Sequence, residues 1–479
     1  MGPSDVRPTS LPHVAVVGAG IGGLGAALAL SRSGHRVTLL ERDDTPLPDS
    51  VEAAFDWDRR GAPQVRHSHG FAARLHQVLR SRFPDVLDDL RAAGAVEHDL
   101  GAMLPEELRG DIDDLKVIAA RRTTYEWVLR GATSRSPLVD LRVGVGVRSL
   151  LTDGTSADHP PGISGVELDD GSTVRADAVV ASTGPHSELV RWLEPHGVLV
   201  PEVVTQTGIT YLTRFYRLRP GHALPGGVVQ TSSRRAGLSY SCVEADNGTF
   251  SITIAVESSD RELRRHLVQT GPFEAVCRLL PGIDTVTDPE AATPMTDVHA
   301  MGGLVNRQRQ FLDAQGRPRV IGFHALGDAH TTTNPLYGRG CSLAMVQAVV
   351  LGDSFVDHPS DPVARALAYE EASAREIDPW YRFAVDGDAL RSDPDVDPHD
   401  PRFTLQDLLR VGSTQPSLLP RTLRTLTLLD TPDVLAGDPL FLETLAALRR
   451  QHAAKVAARR AEGYGPPLAR ADLLLAGLT

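Results

Sequence analysis

The sequence predicts an α/β fold of the doubly wound kind, interrupted by an antiparallel sheet and closed by a helical C-terminal region. Residues 14–41 run strand, glycine turn, helix, strand and acid without a break. Between about 201 and 297 the texture changes to alternating polar and apolar positions, as in an antiparallel sheet. A later apolar strand ends in Gly327-Asp328 and leads through a glycine-rich turn into an Ala/Val/Leu helix, after which the chain is mainly helical.

The first stretch is a complete dinucleotide-binding fingerprint. Val14 to Val17 reads as a buried parallel strand, followed by Gly18-Ala-Gly20-Ile21-Gly22-Gly23 and an alanine-rich helix ending near Gly34. Gly18 permits the tight turn, Gly20 lets backbone approach a pyrophosphate, and Gly23 lets helix and strand pack closely. The helix start offers unpaired N–H groups and a positive dipole end to phosphate. A second strand, Val37 to Leu40, ends on Glu41, which suits the hydroxyls of an adenosine ribose. An acid there argues against a 2'-phosphate, so FAD or NAD is expected rather than NADP.

At 479 residues the chain is long enough for two or three domains. A net charge of −12 argues against nucleic acid as main partner. The three cysteines, Cys242, Cys277 and Cys341, form no C-x-x-C pair, which fits neither a disulfide framework nor a zinc ribbon and suits a reducing cytoplasm. The first ten residues are polar and carry no apolar signal core, and no span is expected to cross a membrane.

Residues 42–66 read as a loop and 70–93 as a helical pattern from Phe71 to Leu90. A further helix is expected over 123–132, capped by Thr123 or Thr124. Val139–Leu151 and Ile163–Leu168 read as strands, with a hairpin turn at Asp169 to Ser172. Ala176 to Gly184 is a buried strand leaving into a glycine loop. Thr207–Leu218, Gly237–Val243 and Thr249–Glu257 are the expected antiparallel strands, and 386–401 an acidic, Pro-rich loop.

The second glycine turn carries chemistry of its own. Asp328, at the end of a buried strand, suits a polyol such as a ribityl chain. The turn Asn334-Pro335-Leu336-Tyr337-Gly338-Arg339-Gly340-Cys341, entering a helix, places backbone N–H groups against a developing anion. Together they suit a flavin, with negative charge at the N1/C2-carbonyl end of the reduced ring stabilised by the loop.

These residues resemble a known family. Gly18–Gly23 with Glu41, Arg122 in Arg121-Arg-Thr-Thr-Tyr-Glu126, and Gly327-Asp328 with Asn334-Pro335-x-Tyr-Gly338-x-Gly340 resemble the FAD-dependent monooxygenases of the p-hydroxybenzoate hydroxylase fold. A closer resemblance, to flavin epoxidases acting on polyether-type polyketides, rests on Arg60-Gly-Ala-Pro-Gln64-Val-Arg66-His67-Ser-His69, Gly208-Ile-Thr-Tyr211-Leu-Thr-Arg214 and Val305-Asn306-Arg307. The similarity runs from about residue 12 to 355.

The resemblance implies a Rossmann-type FAD-binding domain, with an inserted antiparallel β-sheet substrate domain and a C-terminal helical region. The FAD-binding domain would take residues 1–200 and 298–360, the substrate domain 201–297 and the helical region 361–479. The expected cofactor-binding residues are Gly18, Gly20, Ile21, Gly22, Gly23, Glu41, Arg42, Arg122, Val147, Gly184, Gly327, Asp328, Pro335, Gly338, Arg339, Gly340 and Cys341. His67, His69 and His330 are expected to face flavin or substrate, and Tyr211 or Arg214 the substrate, though an odd spacing puts these last two on opposite faces of a strand. No metal is expected, since His67 and His69 have no third ligand close in sequence. Cys341 lies at a helix start, where thiol pKa is lowered, but a small packed residue is the expected reading there rather than a covalent flavin link or redox role.

The implied activity is a monooxygenase, an epoxidase or hydroxylase working through a flavin C4a-hydroperoxide on a largely apolar, secondary-metabolite-like molecule. Its partners would be that substrate, molecular oxygen, and NADH or NADPH or a separate flavin reductase. The sequence departs from the family at Ser182-Thr183-Gly184-Pro185, where an Asp-Gly pair associated with FAD and NADPH is usual. A flavin dehydrogenase, oxidase or reductase therefore stays open as an alternative, as does a non-catalytic flavin-binding scaffold. The Trp-x-Trp-x-Ile-Pro motif of flavin halogenases and the Tyr-x-Trp-x-Phe-Pro signature of prenyl reductases are absent; Trp57, Trp127, Trp192 and Trp380 fit neither spacing.

Overall fold

A computed structural model of the chain describes residues 11–109, 113–153, 160–224, 230–235, 238–393, 395–461 and 469–476. The polar first ten residues and Gly237 lie outside the described residues, as do the side chains of Arg459 and Arg460 in the basic C-terminal stretch.

A five-stranded parallel sheet forms the base, in the spatial order Phe323–Ala325, Ala178–Ala181, His13–Val17, Arg36–Glu41, Val139–Val143. Apart from the edge strand Val139–Val143, its strands are buried on both faces, which is why they read as continuous apolar runs rather than alternating ones. Helix Ile21–Arg32 packs against helix Gly340–Asp357, which in turn meets the long helix Pro362–Ser392. Leu24, Leu28, Leu39, Met345, Leu351 and Phe355 share one core here. Helix Gly340–Asp357 is long and apolar enough to cross a membrane, with a mean hydropathy of 1.2. Yet 67% of it is buried inside the protein, as a core helix would be.

A second sheet has two distinct faces. Strands Gln230–Arg235, Leu238–Glu244, Thr249–Glu257 and Ile209–Leu218 lie side by side and antiparallel, with Ala292–Pro294 and His299–Met301 both pairing the last. Side chains alternate across a strand. Leu212, Ile252 and Ile254 therefore go to one face, where they pack with Leu267, Phe273 and Val276 of helices Arg261–Leu267 and Thr270–Cys277. Those helices lie inside the interval read as sheet. Tyr211, Thr213, Thr253 and Ala255 go to the other face. Glu202–Gln206 joins a separate sheet with Val305–Arg309 and Thr331–Thr332.

Several local expectations need correction. The pattern over 70–93 divides into Ala73–Arg82 and Pro84–Ala92, because Pro84 starts a new helix after Phe83 leaves helical geometry. The helix expected from 123 is Arg122–Ser134. Its N-cap is Arg121 with no side-chain cap, and the Thr124 hydroxyl donates to Asp246 instead. Val139–Leu151 is two strands, Val139–Val143 and Val147–Thr152, separated at Gly144 with φ of 71°. The acidic stretch from 386 is helical as far as Ser392, so Asp386 and Asp388 sit on Pro362–Ser392 and not in a loop.

Candidate active site

Strand His13–Val17 delivers the chain to Gly18, whose φ of 97° excludes most L side chains. A Cβ on Gly23 would lie 1.8 Å from the Gly18 carbonyl oxygen, so helix and turn touch only because residue 23 is glycine. Gly20, by contrast, has nothing within 4 Å of a Cβ position, leaving open backbone beside the helix start. That open cradle is where a pyrophosphate fits. Gly184, with φ of 74°, is similarly open, Val147 is half-buried on its strand, and Arg42 is exposed.

Glu41 is buried at the end of its strand. Its carboxylate accepts from Ala19 N at 2.8 Å and Asp43 N at 2.9 Å. A carboxylate has about four lone-pair sites, so acceptor capacity remains for a ribose. The sequence reading missed Arg59, in the segment read as a loop. Its guanidinium meets Asp43 at 2.5 Å, Glu126 at 2.6 Å and Glu41 at 3.6 Å, and lies 5.1 Å from the Trp57 ring centroid. Glu126 in turn lies 3.6 Å from Arg122, and Arg122 lies 3.4 Å from His69 Nε2. A buried chain of charged and polar groups thus runs from Glu41 to His69. Trp57 beside Arg59 was the one available signal, since the acidic partners are distant in sequence.

The Asp328 backbone carbonyl accepts from the Thr332 hydroxyl at 2.9 Å, while its carboxylate has no hydrogen bond among the described residues. Burial raises its pKa, while Arg122 and His186 pull it down. The Arg122 Nε is likewise buried without a hydrogen-bond partner. The Asp328 carboxylate and the Arg122 Nε, each without a hydrogen bond, fit the polar ribityl-pyrophosphate part of FAD.

The loop after Asp328 meets the sheet. A chamber opens between Pro335, Leu336 and Gly338 on one side and Tyr211, Thr213, Ser239, Ser241, Thr253 and Ala255 on the other, with His67, Ser68 and Gly70 as a wall. His67 Nδ1 lies 2.9 Å from Thr213 Oγ1, which lies 2.8 Å from Thr253 Oγ1. Ser68 Oγ then lies 2.7 Å from both Thr253 Oγ1 and Ser251 Oγ. Burial lowers the pKa of His67 to about 4, helped by His299, and that of His69 to about 3, helped by Arg122. Both imidazoles are neutral at physiological pH.

The loop itself is held from behind. Asp388 accepts from Asn334 Nδ2 at 2.7 Å, Asn306 Nδ2 at 2.8 Å and Arg391 Nη1 at 2.9 Å. Asn334 Oδ1 accepts from the Tyr211 hydroxyl at 2.8 Å and from Leu336 N at 3.0 Å. Thus Tyr211, Asn306, Asn334 and Asp388, from four separate segments, lock the loop to the chamber.

Three expectations change. Residues 327–329 make a single tight turn, which carries residue 330 away from the side of Asp328. His330 instead stacks on Phe311 at 5.6 Å between ring centroids and lies 3.3 Å from Glu370. Arg214 lies on the sheet face opposite Tyr211, bonded to Thr296 O at 2.7 Å and paired with Glu274. Cys341 does lie at a helix start, but burial outweighs that position and pushes its thiol up to about 11. Cys341 is packed into the core that holds Met345 and Val346.

A family model described as FAD dependent oxidoreductase matches residues 13–50. The Mycobacterium tuberculosis protein Rv3254 is 27% identical, over 91% of this chain and 93% of its own. A kynurenine 3-monooxygenase from Salinispora arenicola is 28% identical, over 76% of this chain and 77% of its own. Among solved structures, PqsL, a probable FAD-dependent monooxygenase from Pseudomonas aeruginosa, matches 80% of this chain and 97% of its own at 17% identity and a TM-score of 0.56. The flavin-dependent brominase Bmp2 matches 92% of this chain and 99% of its own, at 14% identity and a TM-score of 0.56. A flavoprotein/dehydrogenase from Cytophaga hutchinsonii gives a TM-score of 0.64 at 14% identity, over 92% of this chain and 99% of its own. The chain therefore has the fold of FAD-dependent oxidoreductases, with their nucleotide-binding segment at its N-terminal end.

Proposed function

We propose that this FAD-dependent oxidoreductase fold serves a monooxygenase, an epoxidase or hydroxylase of an uncharged substrate with a largely apolar body. The observation that carries this reading is the chamber between the Pro335–Gly338 loop and the sheet, closed by the His67–Gly70 wall. Bound FAD would supply the redox and oxygen-activating chemistry.

The chain's own residues do the rest. Gly18 to Gly23, Glu41 and Arg122 bind the dinucleotide, and Asp328 orients its ribityl chain. The asparagine–aspartate network fixes the loop against the chamber. Met301, Leu336, Val243 and Ala255 exclude water, while Ser239 and Ser241 offer hydrogen bonds to oxygen functions of the substrate. Neutral His67 accepts or donates a proton within the Thr213–Thr253–Ser68 hydroxyl chain. The likeness to the kynurenine 3-monooxygenases supports the general class, and the shared fold supports FAD.

One observation favours a second reading, a dehydrogenase or reductase on the same site. Where an Asp-Gly pair would stand, Thr183 donates to Ser187 Oγ at 2.5 Å and offers no carboxylate. Two experiments separate the readings. Anaerobic mixing with NADH or NADPH should bleach the flavin band if the chain draws on a nicotinamide; bleaching by substrate alone favours the dehydrogenase. Turnover under oxygen-18 gas should place one labelled atom in the product, and unlabelled product would refute oxygen insertion.

A further inference from the structure

Arg339 is a buried cation with no anionic partner among the described residues. It is 3% exposed, and its Nε, Nη1 and Nη2 are all buried with no hydrogen-bond partner among the described residues. Its guanidinium lies 4.8 Å from the Tyr337 ring centroid, 4.7 Å from Trp380 and 4.4 Å from Phe383. Three aromatic faces thus stand where a carboxylate would normally be. Each attracts a cation through its ring quadrupole without neutralising it. Burial lowers the pKa of Arg339 only to about 10, so the charge persists at neutral pH.

The placement gives that charge a direction. Arg339 is the N-cap of helix Gly340–Asp357, so it adds to the positive end of an 18-residue helix. Its backbone neighbours Pro335, Leu336 and Gly338 line the chamber, while its side chain is held on the far side of the loop by the long C-terminal helix. An uncompensated charge in a low-dielectric setting acts across a thin loop far more strongly than an exposed ion pair would.

We infer that Arg339 is an electrostatic device for the flavin: a cation caged by Tyr337, Trp380 and Phe383 that favours negative charge on the ring across the Pro335–Gly340 loop. The role is that of a positioned charge and not of a catalytic residue. It rests on FAD being bound as proposed above, but not on whether oxygen enters the product.

Sulfite is the probe. Its sulfur lone pair forms a bond to flavin N5, and the displaced electron pair comes to rest on the N1/C2-carbonyl end, so no further reductant is needed. Sulfite titration of the FAD-loaded protein, followed by flavin absorbance, should show R339M weakened about ten-fold or more, the scale expected for losing one desolvated charge. R339K, whose ammonium the same aromatic faces attract, should stay within about three-fold of wild type. R339M binding sulfite as tightly as wild type would overturn the inference. Should R339M fail to hold FAD, R339K decides: FAD retained with near-wild-type sulfite affinity supports the charge, whereas FAD lost there too assigns Arg339 to shape alone. Failure of the wild type to bind FAD would instead break the functional reading beneath it.

Discussion

The Asp388 carboxylate accepts a 2.7 Å hydrogen bond from the Asn334 side chain, joining helix Pro362–Ser392 to the loop that lines the chamber. The same carboxylate holds Asn306 and Arg391, so one buried acid serves three donors. Replacing it by alanine leaves all three without that partner. D388A should lose about 3 kcal/mol of stability, as expected for a broken buried polar network. Thermal unfolding of D388A and D388N checks this, with the asparagine variant intermediate because it keeps one acceptor.

The glycine turn predicts a sharper loss. A Cβ on residue 23 would sit 1.8 Å from the Gly18 carbonyl oxygen, and both atoms are backbone-fixed. G23A should cost about 3 kcal/mol or more through forced displacement of helix from strand. It should also abolish retention of FAD through purification, read from the flavin absorbance of the isolated protein.

The buried histidines give the protein an acid-sensitive range. The folded-state pKa of His67 is lowered to about 4 from 6.5, so the folded protein resists a proton that the unfolded chain accepts. The stabilisation from neutral His67 is therefore fully present above pH 6.5. It is lost progressively as pH falls from there toward 4, to a total of about 3 kcal/mol. His69 and His324, each lowered to about 3, act in the same direction. Denaturant titrations between pH 7 and pH 4 should show a shallower decline in H67Q than in wild type.

Tyr211 and Arg214 test the two faces of their strand. Y211F removes the hydroxyl bonded to Asn334 and should alter substrate binding and kcat/KM about ten-fold, with little change in Tm. R214M breaks the pair with Glu274 on the opposite face. It should lower Tm and leave kcat/KM within about three-fold.

What the sequence made legible was local. Gly18 to Gly23, Glu41 and Gly327-Asp328 are contiguous signals whose physics is complete within a few residues, and the alternation in Ile209–Leu218 and Thr249–Glu257 reports a two-faced sheet directly. Asp388 was hidden because its acidic, Pro-rich surroundings resemble a solvated loop. Only the helix running to Ser392 brings it to Asn306 and Asn334. Arg59 was hidden for a related reason: two of its acidic partners, Asp43 and Glu126, lie 16 and 67 residues away. His330 was misplaced because a single tight turn after Gly327 reverses its direction. The aromatic cage of Arg339 draws Tyr337 from a loop and Trp380 and Phe383 from a distant helix, a pairing that no local pattern encodes.

Asp328 and the two glycine turns are proposed to hold FAD beside the chamber. Titration of the FAD-free protein with FAD, followed by quenching of flavin fluorescence, tests this most directly. The account predicts one FAD per chain, and binding about ten-fold weaker or worse in D328A, the scale for losing charge-assisted hydrogen bonds. Absence of saturable binding by the wild type, or equal affinity in D328A, would contradict it.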